Sequence, residues 1–343
     1  MGNKNKLDFF ISGKNIAILG GGSWGTALAV MLSERHNVKL WEYDKKQVQI
    51  ISQKRVNQKF LPDVIIPDNV FISNDIDKVL LNTEIVIFAI PSHTIRSTAK
   101  EAKSLLKDKI IVSASKGLEE NSMKRISEII YEETNNKNIF VISGPSLAKE
   151  VSRKHPTTVV IASLKNDKKL MEYLQRIFIT EYFRVYTNED IIGVELGGSL
   201  KNIIAIAAGI SDGMGFGANT KSALLTRGLA EIVRLGVKLK AKKETFFGLA
   251  GIGDLVTTCT SEYSRNRYVG ERLGKGENIN EILKNMIMVA EGVKTTYAAY
   301  HLAKKFNLYI PIITEVYNVL YNNKNAKESV YSLMVREPKP EII

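Results

Sequence analysis

The sequence predicts an α/β fold: an N-terminal, doubly wound and mostly parallel sheet followed by an all-helical C-terminal domain. Three observations predict it. Short apolar runs alternate with helical stretches from residue 15 to about residue 186, the pattern that parallel βα units produce. The first run stops at Gly20-Gly21-Gly22, and an alanine-rich helical pattern follows at once. Beyond Asn188 apolar residues recur at helical spacing only, which puts a boundary near residue 188.

Asn15 to Leu19 is the first strand, and the glycines at 20, 22 and 25 fit G-x-G-x-x-G. Gly20 permits the tight turn, Gly22 lets backbone approach a pyrophosphate, and Gly25 lets the helix pack on the strand. Free N–H groups at the helix start then face phosphates, which predicts a dinucleotide site. Thr26 to Glu34 is the predicted helix, and Val38 to Trp41 the second strand. Glu42, Tyr43 and Asp44 fall roughly 20 residues past the glycines, where an acid that binds ribose hydroxyls is expected. Glu42 or Asp44 there favours NAD, because a carboxylate repels a 2′-phosphate; Lys45 and Lys46 would instead hold that phosphate. A charged helix start is the plain alternative for each.

Asp75 to Leu81 is a short predicted helix, and Glu84 to Ile90 a buried strand broken by Pro91-Ser92. A helix from Thr94 to Leu106 leads to a strand from Lys109 to Ala114, which ends in Ser115-Lys116-Gly117. Lys116 thus lies just past a strand's carboxyl end, where open α/β sheets place ligands; a solvated surface lysine is the alternative. Ser122 to Glu133 reads as helix, Asn138 to Ile142 as strand, and Ser143-Gly144-Pro145-Ser146 caps a helix from about Leu147. Thr157 to Ala162 and Tyr182 to Tyr186 are the last strands, with a helix from Asp167 to Phe178 between them.

Ile191 to Ile210 is one long apolar helix with Lys201 inside it, among Gly197, Gly198, Ile203, Ile204, Ala205 and Ala207. Burial there lowers a lysine's pKa, which suits a proton donor or acceptor near neutral pH; a lysine reaching out to water is the weaker alternative. A Gly-rich loop, Ser211 to Asn219, starts the next helix, Thr220 to Leu235. Gly248 to Asp254 is a second tightly packing segment. Ser264-Arg265-Asn266 offers a guanidinium fork beside neutral donors, a set that suits a phosphate monoester; a surface ion pair is the alternative for Arg265. Ala290-Glu291-Gly292-Val293 caps a helix to about Phe306, and Thr314 to Met334 reads as helical packing.

At 343 residues the chain holds two domains with real cores. The formal charge of +12 comes from lysines scattered over helix faces, with no basic stripe interleaved with aromatics. A surface that draws in anionic small molecules is preferred to a nucleic-acid partner. One cysteine, Cys259, excludes an internal disulfide framework and points to a reducing cytoplasm. His36, His93, His155 and His301 lack ligand spacing, so no metal is expected. No apolar run is expected to span a membrane. Met1 to Gly13 reads as a loosely held polar extension.

Taken together, six blocks resemble the NAD(P)-dependent glycerol-3-phosphate dehydrogenases of bacterial type. They are Gly20 to Ala29, Ser115 to Glu119, Ile142 to Glu150, Leu196 to Gly209, Gly253 to Cys259, and Ser264-Arg265-Asn266-Arg267. The resemblance implies a Rossmann domain over residues 14–188, a helical substrate-binding domain over 189–343, and commonly a homodimer. It implies interconversion of dihydroxyacetone phosphate and sn-glycerol 3-phosphate with NAD or NADP, a step that feeds glycerophospholipid synthesis. Carried over by position, Lys201 is the general acid/base, assisted by Lys116 and Asp254. Lys116, Gly144, Ser146, Lys201, Asp254, Ser264, Arg265 and Asn266 would contact substrate. Ser23, Trp24, Tyr43, Lys116, Ala148, Arg265, Val289 and Glu291 would join Gly20, Gly22 and Gly25 around the cofactor. Tyr43 stands where many relatives carry Arg or His, which disfavours tight 2′-phosphate recognition. Two rivals remain: a dehydrogenase of hydroxy or sugar acids, and a nucleotide-sensing protein without turnover.

Overall fold

The structure, a computed structural model, describes residues 10–165, 167–338 and 340–341. In chain order it begins β1 (Asn15–Leu19), α1 (Ser23–Ser33), β2 (Asn37–Trp41), α2 (Lys45–Lys54), β3 (Val56–Asn57), β4 (Leu61–Ile65), β5 (Phe71–Ser73), α3 (Ile76–Leu80) and β6 (Ile85–Phe88). Then come α4 (Ile95–Glu101), α5 (Lys103–Leu106), β7 (Ile110–Ser113), α6 (Ile126–Thr134), β8 (Ile139–Ser143), α7 (Ala148–Ser152), β9 (Thr157–Ser163), α8 (Lys168–Phe178) and β10 (Phe183–Asn188). The rest is helical: α9 (Ile191–Gly213), α10 (Ala218–Lys238), α11 (Asp254–Thr260), α12 (Arg265–Gly274), α13 (Ile279–Lys284), α14 (Glu291–Lys305), α15 (Pro311–Tyr321) and α16 (Ala326–Met334).

Eight strands form one sheet in the order β10-β9-β8-β7-β6-β1-β2-β5. Neighbours run parallel except β8 and β9, which are antiparallel. The chain travels outward from β1 to β2 and β5, then returns to β6 on the other side of β1. That reversal opens a crevice at the carboxyl ends of β1 and β6. Alternation along the strands serves both faces: Ile16, Ile18, Ile85 and Ile87 pack under α1 and α8, while Ala17, Leu19, Val86 and Phe88 pack under α4 and α6. Between β2 and β6 the structure adds α2, whose start the sequence offered as the plain alternative for Glu42 and Asp44, and the β3–β4 hairpin and β5, which the sequence pattern did not mark. Those strands are two to five residues long, too short to show a period. The helix predicted from Thr94 breaks at Ala102 into α4 and α5.

The second core surrounds α9, whose Ile203, Ile204 and Ile206 are fully buried; each such side chain contributes about 1.5–3 kcal/mol. Asp190 caps α9 by accepting from Gly193 N at 2.9 Å. Backbone packs on backbone where α12 crosses: a Cβ on Gly209 would fall 1.9 Å from the Arg267 carbonyl oxygen, and one on Gly270 1.9 Å from that of Ile206. By length and composition alone α9 is apolar enough to cross a membrane, contrary to the expectation from sequence. Yet 89% of its apolar window is buried in the protein, so it is a core helix. The described part of the N-terminal extension is held rather than loose. Ile11 N donates to Arg176 O at 3.3 Å and Gly13 N to Arg35 O at 2.7 Å, and the Arg35 guanidinium lies 4.5 Å from the Phe10 ring centroid. Residues 1–9 lie outside the described part.

Candidate active site

Gly20 has φ +120°, and a Cβ there would meet the Ala89 carbonyl oxygen at 2.4 Å; one on Gly25 would meet Gly20 O at 1.8 Å. Both positions therefore require glycine for the β1–α1 turn to close. Gly22, by contrast, faces open space and starts α1 with no side-chain cap. The first-turn N–H groups of α1 thus front an open cradle, which fits a pyrophosphate. Ser23 opens α1. Trp24 and Ala148 pack in one small cluster with Ala27, Leu61 and Val64, so two predicted cofactor residues distant in sequence share one wall.

At the end of β2 the structure separates the two acids that the sequence left open. Asp44 caps α2, accepting from Lys46 N at 2.9 Å and Gln47 N at 3.4 Å. Glu42 instead lies against the glycine turn, its Oε2 2.6 Å from where a Gly21 Cβ would stand. Burial pushes its pKa up, and the hydrogen bond from Asp44 N opposes that. Tyr43 is 82% exposed, with its ring edge-on to Trp41 at 6.3 Å.

Across the seam, α9 and α11 meet the loops that follow β7 and β8. Lys201 is 5% exposed and Asp254 1%. Lys201 Nζ donates to Asp254 Oδ1 and, at 2.5 Å, to Thr258 Oγ1; Lys116 Nζ donates to Asp254 Oδ2 at 2.6 Å and to Gly144 O at 3.2 Å. One buried carboxylate therefore holds two ammonium groups. Burial drives the Lys201 pKa down to about 7; Asp254 pulls it back up and Lys116 pushes it down again. Cys259, buried in the same neighbourhood, is driven up to about 12, so it stays a thiol at neutral pH.

Ser146 Oγ donates to Gly144 O at 2.9 Å. Ser264 caps α12 by accepting from Arg267 N at 3.2 Å, and Asn266 Oδ1 accepts from Gly292 N at 2.8 Å, leaving its amide donors available. The Arg265 guanidinium is solvent-accessible and makes no hydrogen bond or ion pair among the described residues. Desolvation by the protein around it lowers its pKa, while nearby Glu291 raises it. Glu291 spans the seam: its carboxylate accepts from Ser92 N at 3.0 Å and from Ser92 Oγ. Val289 is half-buried just before α14.

Three polar groups here escaped the sequence reading. Thr258 follows Asp254 at helical i+4 spacing, a signal that was present in the sequence. Ser199 Oγ bonds both Gly117 N and Gly117 O, fixing α9 to the Lys116 loop. Ser92 pairs with a residue 199 positions away, and nothing local announces it. Among the described residues no group of three His, Cys, Asp or Glu side chains could hold a metal ion.

A glycine turn at the switch point of a mostly parallel sheet, with a buried lysine of lowered pKa on the helical side, fits a two-part nicotinamide-dependent oxidoreductase. The family described as NAD-dependent glycerol-3-phosphate dehydrogenase N-terminus matches residues 15–170, and its C-terminus counterpart matches 190–331. A glycerol-3-phosphate dehydrogenase [NAD(P)+] of Thermoanaerobacter sp. (strain X514) is 50% identical over 329 residues, covering 95% of this chain and 98% of that protein. One from Geobacillus thermodenitrificans is 48% identical over 334 residues, covering 96% and 97%. The crystal structure of glycerol-3-phosphate dehydrogenase from Coxiella burnetii superposes with TM-score 0.90 at 37% identity, covering 94% of this chain and 99% of that one. The chain belongs to the NAD-dependent glycerol-3-phosphate dehydrogenase family.

Proposed function

We propose that this chain interconverts dihydroxyacetone phosphate and sn-glycerol 3-phosphate, using NAD(H) or NADP(H), with Lys201 as general acid and base. The observation that carries the proposal is the buried Asp254 carboxylate shared by Lys201 and Lys116 at the sheet's carboxyl edge.

The nicotinamide, when bound, supplies a hydride to the ketone carbon or takes one from the alcohol carbon. In reduction, the Lys201 ammonium stabilises charge growing on the carbonyl oxygen and gives it a proton; in oxidation, the Lys201 amine takes the proton from the hydroxyl. Lys116 adds a second positive charge. Asp254 positions both lysines and offsets the burial that would strip Lys201 of its proton. Arg265, the Asn266 amide and Ser264 anchor the phosphate, and Gly144 and Ser146 line the path to it, so binding energy at the far end fixes the carbonyl. Gly20, Gly22, Gly25, Ser23, Trp24, Tyr43, Lys116, Ala148, Arg265, Val289 and Glu291 would hold the dinucleotide.

We infer the same division of labour along the chain: 14–188 for the dinucleotide, 189–343 for the substrate. On the family resemblance we further infer a cytoplasmic homodimer whose product feeds glycerophospholipid synthesis. Sedimentation of the purified chain tests the dimer. The activity is tested by oxidation of NADH and NADPH in parallel with dihydroxyacetone phosphate, with 2-keto acids as controls. Preference for a keto acid overturns the substrate assignment. Tight NADH binding without turnover makes the chain a nucleotide sensor.

A further inference from the structure

Outside the cleft, α10, the turn entering α15 and the chain after α16 enclose a recess of about 240 Å³. Three guanidinium groups, Arg227, Arg234 and Arg336, line it beside Tyr309 and Glu341. Elsewhere Arg55, Arg96, Arg125, Arg153, Arg267 and Arg272 each pair with a carboxylate. Among the described residues these three form no ion pair. Main-chain carbonyls and a phenol orient them instead. Arg227 Nη1 donates to Glu341 O at 3.0 Å, Arg234 Nη1 to Tyr309 O at 2.5 Å, and Arg336 Nε to Leu333 O at 2.7 Å with Nη1 to the Tyr309 hydroxyl at 3.2 Å. Each guanidinium keeps further N–H donors.

Two acids stand in the wall, Glu341 and Glu231; among the described residues neither forms an ion pair with the arginines, and Glu231 is committed elsewhere. Glu231 is buried, and its two oxygens accept from Ile312 N at 2.8 Å and Ile313 N at 3.0 Å, capping α15. It cannot turn outward to neutralise an arginine without uncapping that helix. Burial also raises its pKa to about 7, against the pull of those two N–H groups, Arg234 and Arg336, so it opposes the arginines with less than a full charge near neutral pH. Three cations outnumber the two acids beside them, Glu231 and Glu341, so the recess keeps a net positive charge that a dianion relieves.

We propose that this recess binds a small phosphate-bearing anion, separately from the catalytic cleft. Arginine forks drawn from different segments match the spread acceptors of a phosphate better than a single carboxylate does. The volume of about 240 Å³ lies below the roughly 300–1,000 Å³ of ordinary ligand pockets, which suits a phosphate with a few carbons. The site does not depend on the proposed dehydrogenase activity.

The test uses the full chain carrying Arg265→Ala, which disables the cleft's own phosphate anchor. Inorganic phosphate and ethyl phosphate are titrated calorimetrically against sodium chloride of matched ionic strength. One saturable site is expected, and at ten times its dissociation constant the Tm rises by about 2 °C. Adding Arg234→Gln and Arg336→Gln abolishes both signals. Tighter binding of ethyl phosphate identifies a phosphorylated metabolite as the ligand class, and tighter inorganic phosphate identifies the free ion. Absence of saturable binding, or binding that survives the two glutamines, overturns the proposal. In the otherwise unaltered chain, Arg234→Gln/Arg336→Gln leaves Tm without phosphate and NADH binding unchanged, so any loss is local to the recess.

Discussion

On the sheet side of the cleft the wall is main chain: Gly20, Gly22, Gly25 and the uncapped start of α1. On the helical side it is charge: Lys201 and Asp254 buried on α9 and α11, with Lys116 reaching over from the loop after β7. A site made of backbone is sensitive to any added atom and indifferent to side-chain chemistry. A site made of buried charge tolerates small changes of shape and fails when one proton-carrying group is lost. The two walls should therefore separate under mutation, the glycines governing dinucleotide affinity and the lysine governing turnover.

The largest effect falls on the charged wall. Lys201→Ala should lower kcat by about 10²–10⁴-fold, the range for loss of a general acid–base group. NADH affinity, read by fluorescence titration, should stay within about threefold, because α9 contributes nothing to the glycine cradle; unimpaired turnover removes Lys201 from the mechanism. The direction of the pH profile sharpens the same assignment. With the Lys201 pKa near 7, ketone reduction needs the ammonium and should fall about tenfold per unit above that pH. Alcohol oxidation needs the amine and should fall below it. Parallel slopes in the two directions would show that another group titrates.

Arg265→Ala comes next. The guanidinium has no protein partner among the described residues, so its removal leaves no buried carboxylate unpaired. Loss of hydrogen bonds to a charged ligand, about 1.5–3 kcal/mol, should raise KM for dihydroxyacetone phosphate by about 10–100-fold. If KM holds and only the NADH constant moves, Arg265 belongs to the cofactor alone.

On the backbone wall, Gly25→Ala places a methyl 1.8 Å from Gly20 O. Strand and helix must part to admit it, at about 1–3 kcal/mol. Tm should drop and NADH binding weaken about tenfold or more, while saturating NADH restores much of kcat. A variant that binds NADH normally would mean the turn is not the cradle.

The same contrast explains what could be read in the sequence. The glycine turn was legible because much of its constraint is local: Gly25 packs on Gly20 O five positions back, so spacing carries that part of the geometry, while the contact of Gly20 with Ala89 comes from the end of another strand. Lys201 was legible for a related reason, since its burial follows from the apolar residues of its own helix. Partners set by tertiary contact were not legible. Ser92 holds Glu291 across most of the chain, and Ser199 bonds Gly117 from another element. The sequence also left Glu42 and Asp44 equal, because an Asx cap and a ribose acceptor look alike until the direction of α2 is known. Short strands β3 to β5 were lost between stronger signals. The long α9 is apolar enough to match a membrane helix by composition, and only its burial shows that so apolar a segment belongs to a packed interior.

The smallest expected effect lies where the two walls borrow from each other, at a side chain set against the backbone cradle. Glu42 is held beside Gly21 by a 3.0 Å hydrogen bond from Asp44 N, so it presents charge from a fixed position rather than from a free tether. A negative group there repels a 2′-phosphate and accepts from a 2′-hydroxyl. Glu42→Gln keeps the shape and the acceptor from Asp44 N while removing the charge. The ratio of kcat/KM for NADH over NADPH should fall about three- to tenfold, a change of roughly 1 kcal/mol, the scale of one hydrogen bond and a partly screened charge. Tyr43, 82% exposed, offers no fork to hold a phosphate, so NADPH should improve without becoming strongly preferred. An unchanged ratio would place the ribose away from Glu42 and leave cofactor choice to Lys45 and Lys46 at the start of α2.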